Sequence, residues 1–235
     1  TGFIDNADLP WMYNPPSGWI VTANNAVIDD SYPYLITEDW SKGYRARRIV
    51  DLLTSNPGIP LEQHGIIQFD SYDLNAEYLR PFVLDAIPQS ARTADDTAID
   101  AYDALAAWDL QAFADSTGAA VWNATWRNLL ALTFHDELTE FLWPSGGDRW
   151  FEVVRGMATV PDDPFWDDVS TPEVETRDDI MAAAFIAALD ELRDRLGSRV
   201  HDWRWGALHE VTFRNSSLGE SGIGLIEDRF NRGPY

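Results

Sequence analysis

Apolar residues recur at three- and four-residue steps through the middle of this chain, and that rhythm predicts a mainly helical protein. In DWSKGYRARRIVDLL a helix is expected from about Gly43, with Ile49, Leu52 and Leu53 on one face, ended by Asn56-Pro57-Gly58. LNAEYLRPFVLDAI reads as helix interrupted at Pro81 and stopped before Pro88. DDTAIDAYDALAAWD repeats apolar residues at helical steps, and Asp95 and Asp96 suit its positive N-terminus. AAVWNATWRNLLALTFHDELTEFLW is the longest helical candidate and is apolar enough to lie mainly inside. TRDDIMAAAFIAALDELRDRLG is punctuated at both ends, with Thr176 as N-cap, Asp179 three residues on as a shorter stand-in for the usual Glu, and Gly197 as the stop. TVPDDPFWDDVSTPE, between the last two, reads as an acidic, proline-bearing loop.

Toward both ends the period changes. GWIVTAN, bounded by Pro15-Pro16-Ser17-Gly18 and by Asn24-Asn25, predicts a short buried strand. Val211 and Phe213 alternate with Thr212 and Arg214, which predicts a second strand; SSLGESGIGLIEDRFNRGPY is glycine-rich and gives no clear element. The chain therefore divides into a strand-and-turn segment (1–42), a helical region (43–200) and a return strand with loop (201–235). No internal repeat, heptad run or low-complexity segment is present. Strand-like ends around a helical middle predict mainly α structure with a few short strands, a helical insertion in a sheet whose other strands lie elsewhere.

Composition narrows the partners. With 39 Asp and Glu against 17 Lys and Arg, the formal charge is −22, and such a surface repels nucleic acid and anionic membranes. Lys42 is the only lysine; salt adaptation and a GC-rich genome both produce that bias. A 45% hydrophobic and 13% aromatic content excludes a disordered chain. No apolar run reaches the roughly 18 residues that span a bilayer, and TGFIDNADLP has no signal-peptide pattern. The absence of cysteine rules out disulfides and thiol chemistry within these residues.

The candidate chemistry is sparse and open to alternatives. Asn24-Asn25 offer side-chain donors to a developing oxyanion, yet paired asparagines also end strands because they tolerate left-handed backbone. Arg45 and Arg48 share a helix face and suit gripping a carboxylate or orienting a neighbour, or simply neutralising nearby acids. HDELTE (135–140) lacks the second histidine of a zinc helix and reads as a solvated face. The four histidines share no metal-binding spacing. Eleven tryptophans fill a core or stack on sugars. Thr1 would suit an N-terminal nucleophile that uses its own amine as base, but nothing beside it reads as a supporting strand. Asn123-Ala-Thr and Asn215-Ser-Ser match the glycosylation triplet.

LPWMYNPPSGWIVTANN followed by YPYLITEDWSKGYRARRIVDLL resembles the β-chain of the penicillin acylase family of N-terminal-nucleophile amidohydrolases. The specific run is NP-x-SG, A-N-N, Tyr-Pro, then G-x-R-x-x-R-I. Looser agreement continues through QFDSYDLNAEYLRP, AAWDLQAFADSTGAAVWNATW, DWRWGALHEVTF and FNRGP, so the resemblance covers essentially the whole chain. It implies the helical insertion region of an αββα β-subunit, incomplete at both ends, and hydrolysis of linear amides: a β-lactam side chain, an acyl-homoserine lactone or a similar N-acyl substrate. The nucleophile would be an N-terminal serine outside this chain, so an internal fragment inactive alone is expected. Asn24 falls on the oxyanion donor, Arg45 on the arginine that orders the active site, and Asn25 on a supporting position. Expected partners are the remainder of the β-chain and the α-chain, in an extracytoplasmic setting. No catalytic cofactor is implied. A structural calcium belongs to some members, but Tyr34 stands where their carboxylate would be, so no ligand is assigned, although Asp39 is near. The aromatic that closes a phenylacetyl pocket in some members aligns near Glu38, which leaves the acyl group open. The alternative is a non-catalytic acidic helical module for partner binding.

Overall fold

A computed structural model describes residues 2–55 and 58–233; expectations resting on Thr1, Asn56, Pro57 and Pro234 fall outside them. Gly43, at φ 83°, turns the chain into α1 (Tyr44–Thr54) through a left-handed backbone that favours glycine. Then come α2 (Leu61–Gln68), α3 (Leu74–Ala86), α4 (Gln89–Arg92) and α5 (Asp96–Ala107). After α6 (Thr117–Phe134) follow α7 (Asp148–Ala158), α8 (Arg177–Leu196) and α9 (Gly224–Phe230). Four of these starts carry side-chain caps: Asp73 accepts from Ala76 N–H, Asp95 from Ala98, Ser116 from Ala119 and Thr176 from Asp179. At α8 the Asp179 carboxylate also accepts from Thr176 N–H, which completes a capping box with Asp in place of Glu.

The core forms where α6 packs on α8, with α5 against α6 and α3 against α8. Trp122, Trp166, Trp203 and Phe185 lie fully inside it. The Trp166 indole N–H donates to Val160 O (3.0 Å) and that of Trp203 to Gly197 O (2.7 Å), so each ring is buried with its donor satisfied. Tryptophan is core-filling at these positions. A Cβ at Gly118 would lie 2.4 Å from Trp108 Cβ, so this glycine lets α6 begin directly against the residue that closes α5.

Several expectations are corrected. Pro81 does not interrupt α3, which runs through it: Pro81 and Glu77 are both exposed, so the carbonyl that proline leaves unbonded faces water. The candidate at 119–143 ends at Phe134, and α8, at 20 residues, is longer than α6, at 18. Asp136 and Glu137 follow at the negative end of the helix dipole, where carboxylates are unfavourable. HDELTE is thus a turn running into a single 3₁₀ turn at Glu140–Leu142, rather than a helix face. Neither strand forms among the described residues. Trp19–Val21 has no ladder partner among the described residues and Ile20 is 56% exposed; the pairings among those residues are single bridges, Asn25 to Ser41, Tyr72 to Gln111 and Phe213 to Arg232. A strand exists only through the chain beside it; Trp19–Val21 has no bridge and the segment around Phe213 has one. Four helices lay hidden in the sequence, α2, α4, α7 and α9, the last within the glycine-rich tail. No helix among the described residues is long and apolar enough to cross a membrane.

Candidate active site

Asn24 sits at φ 61°, the left-handed region that asparagine tolerates, next to buried Ala23. Its neighbour holds the turn: Asn25 Oδ1 accepts from Ala23 N–H and Asn25 Nδ2 donates to Ala26 O, both at 3.0 Å. Asn24 O accepts from Ser41 N–H (2.8 Å), so the turn is tied to the segment entering α1. That segment is anchored from far along the chain. Asp148, at the start of α7, accepts from Ser41 Oγ (2.6 Å) and from Lys42 N–H (2.8 Å), and these bonds hold its carboxyl below the usual range.

From the first turn of α1, Arg45 donates through Nη2 to Ala23 O (3.0 Å) and to Asn24 Oδ1 (2.7 Å). A guanidinium only donates, so this contact settles which end of the Asn24 carboxamide is oxygen. Nδ2, with two N–H groups, has no partner among the described residues, at an exposed position. The left-handed backbone of the turn reading is present, and the Asn24 side chain is held with its donors unspent. Such a group stabilises negative charge without accepting a proton.

One helical turn on, Arg48 grips Asp70 through Nε and Nη2, both at 2.7 Å, and lies 4.2 Å from the centre of the Tyr72 ring. Arg48, then Gln111 at 3.0 Å, hold the Asp70 carboxyl below the usual range. Tyr44, beside Arg45, is pushed above the usual tyrosine range by burial and by its hydrogen bond to Glu152. Of the other positions singled out in the sequence, Tyr34 donates to Asp8 Oδ2 (3.2 Å) while Glu38 and Asp39 are exposed. His135 stacks on Trp143 and His209 on Trp205, with centroids 3.9 and 4.8 Å apart. Among the described residues no cluster of three or more histidines and acids is disposed to hold a metal.

Sequence reasoning missed Asp148, the Asp70 partner of Arg48, and a cavity of about 670 Å³ beneath the two arginines. The cavity lies between α1, α2 and the start of α3, with Phe151 and Trp205 in its walls. Asp70 stands five residues before Asn75 in QFDSYDLN, but nothing in that spacing reveals a guanidinium 22 positions earlier.

The penicillin amidase family model matches residues 1–235. An acyl-homoserine lactone acylase of Pseudomonas aeruginosa is 29% identical over the whole chain, which spans 31% of that relative. One of Pseudomonas fluorescens is 28% identical over 92% of the chain and 29% of its own length. A penicillin acylase 2 proenzyme from a Pseudomonas species is 31% identical over 56% of the chain and 16% of its own length. The chain thus spans less than a third of the curated relatives it matches.

Proposed function

Because the chain belongs to the penicillin amidase family, we propose that it is part of an amidohydrolase that cleaves N-acyl amides, with Asn24 as an oxyanion donor. The nucleophile is proposed to be a serine hydroxyl outside these 235 residues. It attacks the amide carbon while its own free α-amine takes the hydroxyl proton, the carbonyl electrons collect on oxygen, and the amine leaves with that proton as the carbonyl re-forms in an acyl-enzyme that water then cleaves, releasing the acid and the serine. Asn24 Nδ2 donates to the oxygen while it carries charge, and Arg45 keeps the carboxamide from turning its oxygen there instead. The supporting observation is the 2.7 Å bond from Arg45 to Asn24 Oδ1, which leaves the donor end free. The relatives' names support an acyl-homoserine lactone or a penicillin-type amide as substrate. The remainder of the β-chain and the α-chain are proposed to cover the apolar residues exposed here, such as Phe3, Phe141 and Leu225.

The test is Asn24→Ala in the full-length protein, assayed on an N-acyl-homoserine lactone and on an arylacetyl amide. The turnover number should fall about 10²–10³-fold with KM nearly unchanged. The melting temperature should fall modestly, because alanine tolerates φ 61° less well than asparagine and Arg45 loses an acceptor. Unchanged turnover with both substrates overturns the assignment.

A further inference from the structure

We propose that the cavity beneath Arg45 and Arg48 binds a neutral primary carboxamide bearing an apolar chain, and that Asn75 recognises its amide. At about 670 Å³ the cavity lies within the roughly 300–1,000 Å³ of small-molecule sites. Ile49 and Leu52 from α1, Ile67 from α2, and Leu74, Phe151 and Trp205 give it largely apolar walls. Its charged residues are already engaged. Arg45 bonds Ala23 and Asn24, Arg48 pairs with Asp70, and Asp73 accepts the Ala76 N–H at 2.8 Å as the cap of α3. Arg45 makes its bonds to neutral oxygens and through Nη2 alone, and pairs with no carboxylate among the described residues, so a carboxylate ligand is the control that weighs its charge against the amide match at Asn75.

Asn75 is the exception. It lines the cavity, is 1% exposed, and neither Nδ2 nor Oδ1 has a hydrogen-bond partner. Buried polar groups in folded proteins almost always find partners, so a buried amide with both ends unpaired marks a place for a ligand. The complement of a planar carboxamide is a group with a donor and an acceptor side by side. A primary amide supplies both: its syn N–H reaches Asn75 Oδ1 while its carbonyl accepts from Nδ2. A carboxylate would set oxygen against Oδ1, and a tertiary amide has no N–H to give. The apolar walls then take the acyl chain. This inference goes beyond the hydrolase reading and requires no turnover.

Calorimetric titration of the full chain with octanamide, N,N-dimethyloctanamide and octanoate tests it. Octanamide should bind about tenfold or more tighter than either of the others, since each leaves a buried Asn75 atom unpaired. In Asn75→Leu the octanamide affinity should drop to that of N,N-dimethyloctanamide. The variant should melt no lower than the parent, because the leucine replaces a side chain that makes no hydrogen bond. Equal affinity for the three compounds, no octanamide binding, or a preference that survives Asn75→Leu each overturns the proposal; the comparison on the unsubstituted chain decides even if the variant misfolds. Normal turnover by Asn24→Ala would sink the hydrolase reading and leave this result standing.

Discussion

Asp73 serves as the N-cap of α3, yet its burial disfavours the charge it carries. The cap bonds from Ala76 and Asn75 lower its pKa, but burial outweighs them and the folded value stands above the ordinary 3.8. The folded state therefore holds the proton longer than the unfolded one, and stability falls as pH rises from 3.8 through the raised value. Asp70, Asp148 and Asp179 behave in the opposite sense. Their hydrogen bonds to Arg48, Ser41 and Thr176 hold them below 3.8, so their contribution is complete above that pH and is lost as pH falls through the lowered values. Asp73→Asn keeps a capping oxygen and removes the charge. It should raise the melting temperature at pH 7, with the gain vanishing as pH approaches 3.8. A lower melting temperature at pH 7 would show that the ionised cap is needed.

At the scale of the element, α3 tolerates a residue that ends most helices. Pro81 has no N–H for the Glu77 carbonyl, and both lie on the face turned to water, while Leu79 and Val83 are fully buried on the other. Packing of the buried face holds the helix through the defect. Replacing Pro81 with Ala should restore the missing bond and stabilise the chain by about 1–3 kcal/mol in urea unfolding, less what proline contributes by restricting the unfolded chain. A loss of stability would mean that the ring packs against something in the assembled protein. The capping box at α8 works in the contrary direction, with two local bonds at Thr176 placing the start of the longest helix before any packing is considered.

For the whole molecule, the dominant global quantity is its charge. A formal −22 on 235 residues is a self-repulsion that salt screens over about 10 Å at 0.1 M and 3 Å at 1 M. The melting temperature should therefore climb as KCl is raised from 0.05 to 1 M at pH 7. A flat or falling profile would assign the scarcity of lysine to genome composition alone. The apolar side chains are unevenly distributed: a sealed core lies between α3, α5, α6 and α8, while Phe3, Trp11, Tyr13 and Leu35 in the first 42 residues are exposed. Charge repulsion acts on the whole surface, whereas burial is concentrated in the helical middle.

Several helix starts and stops were legible in the sequence because they depend on neighbours within four residues: Asp95 and Thr176 each cap their own next turn, and Gly43 and Gly197 supply backbone that other residues avoid. The motif around Asn24 and Arg45 was legible too, through family resemblance, although not the bond that joins them. Contacts between distant positions were not readable. Whether GWIVTAN became a strand depended on a partner strand, which the described residues do not supply. Asp148 reaches Ser41 across 107 positions, Arg48 meets Asp70 across 22, and the orphaned amide of Asn75 has meaning only once three helices enclose it. Local hydrogen bonds and periodicity are written along the chain, but charge pairing, cavities and strand ladders arise from which surfaces meet, and that is decided by folding alone.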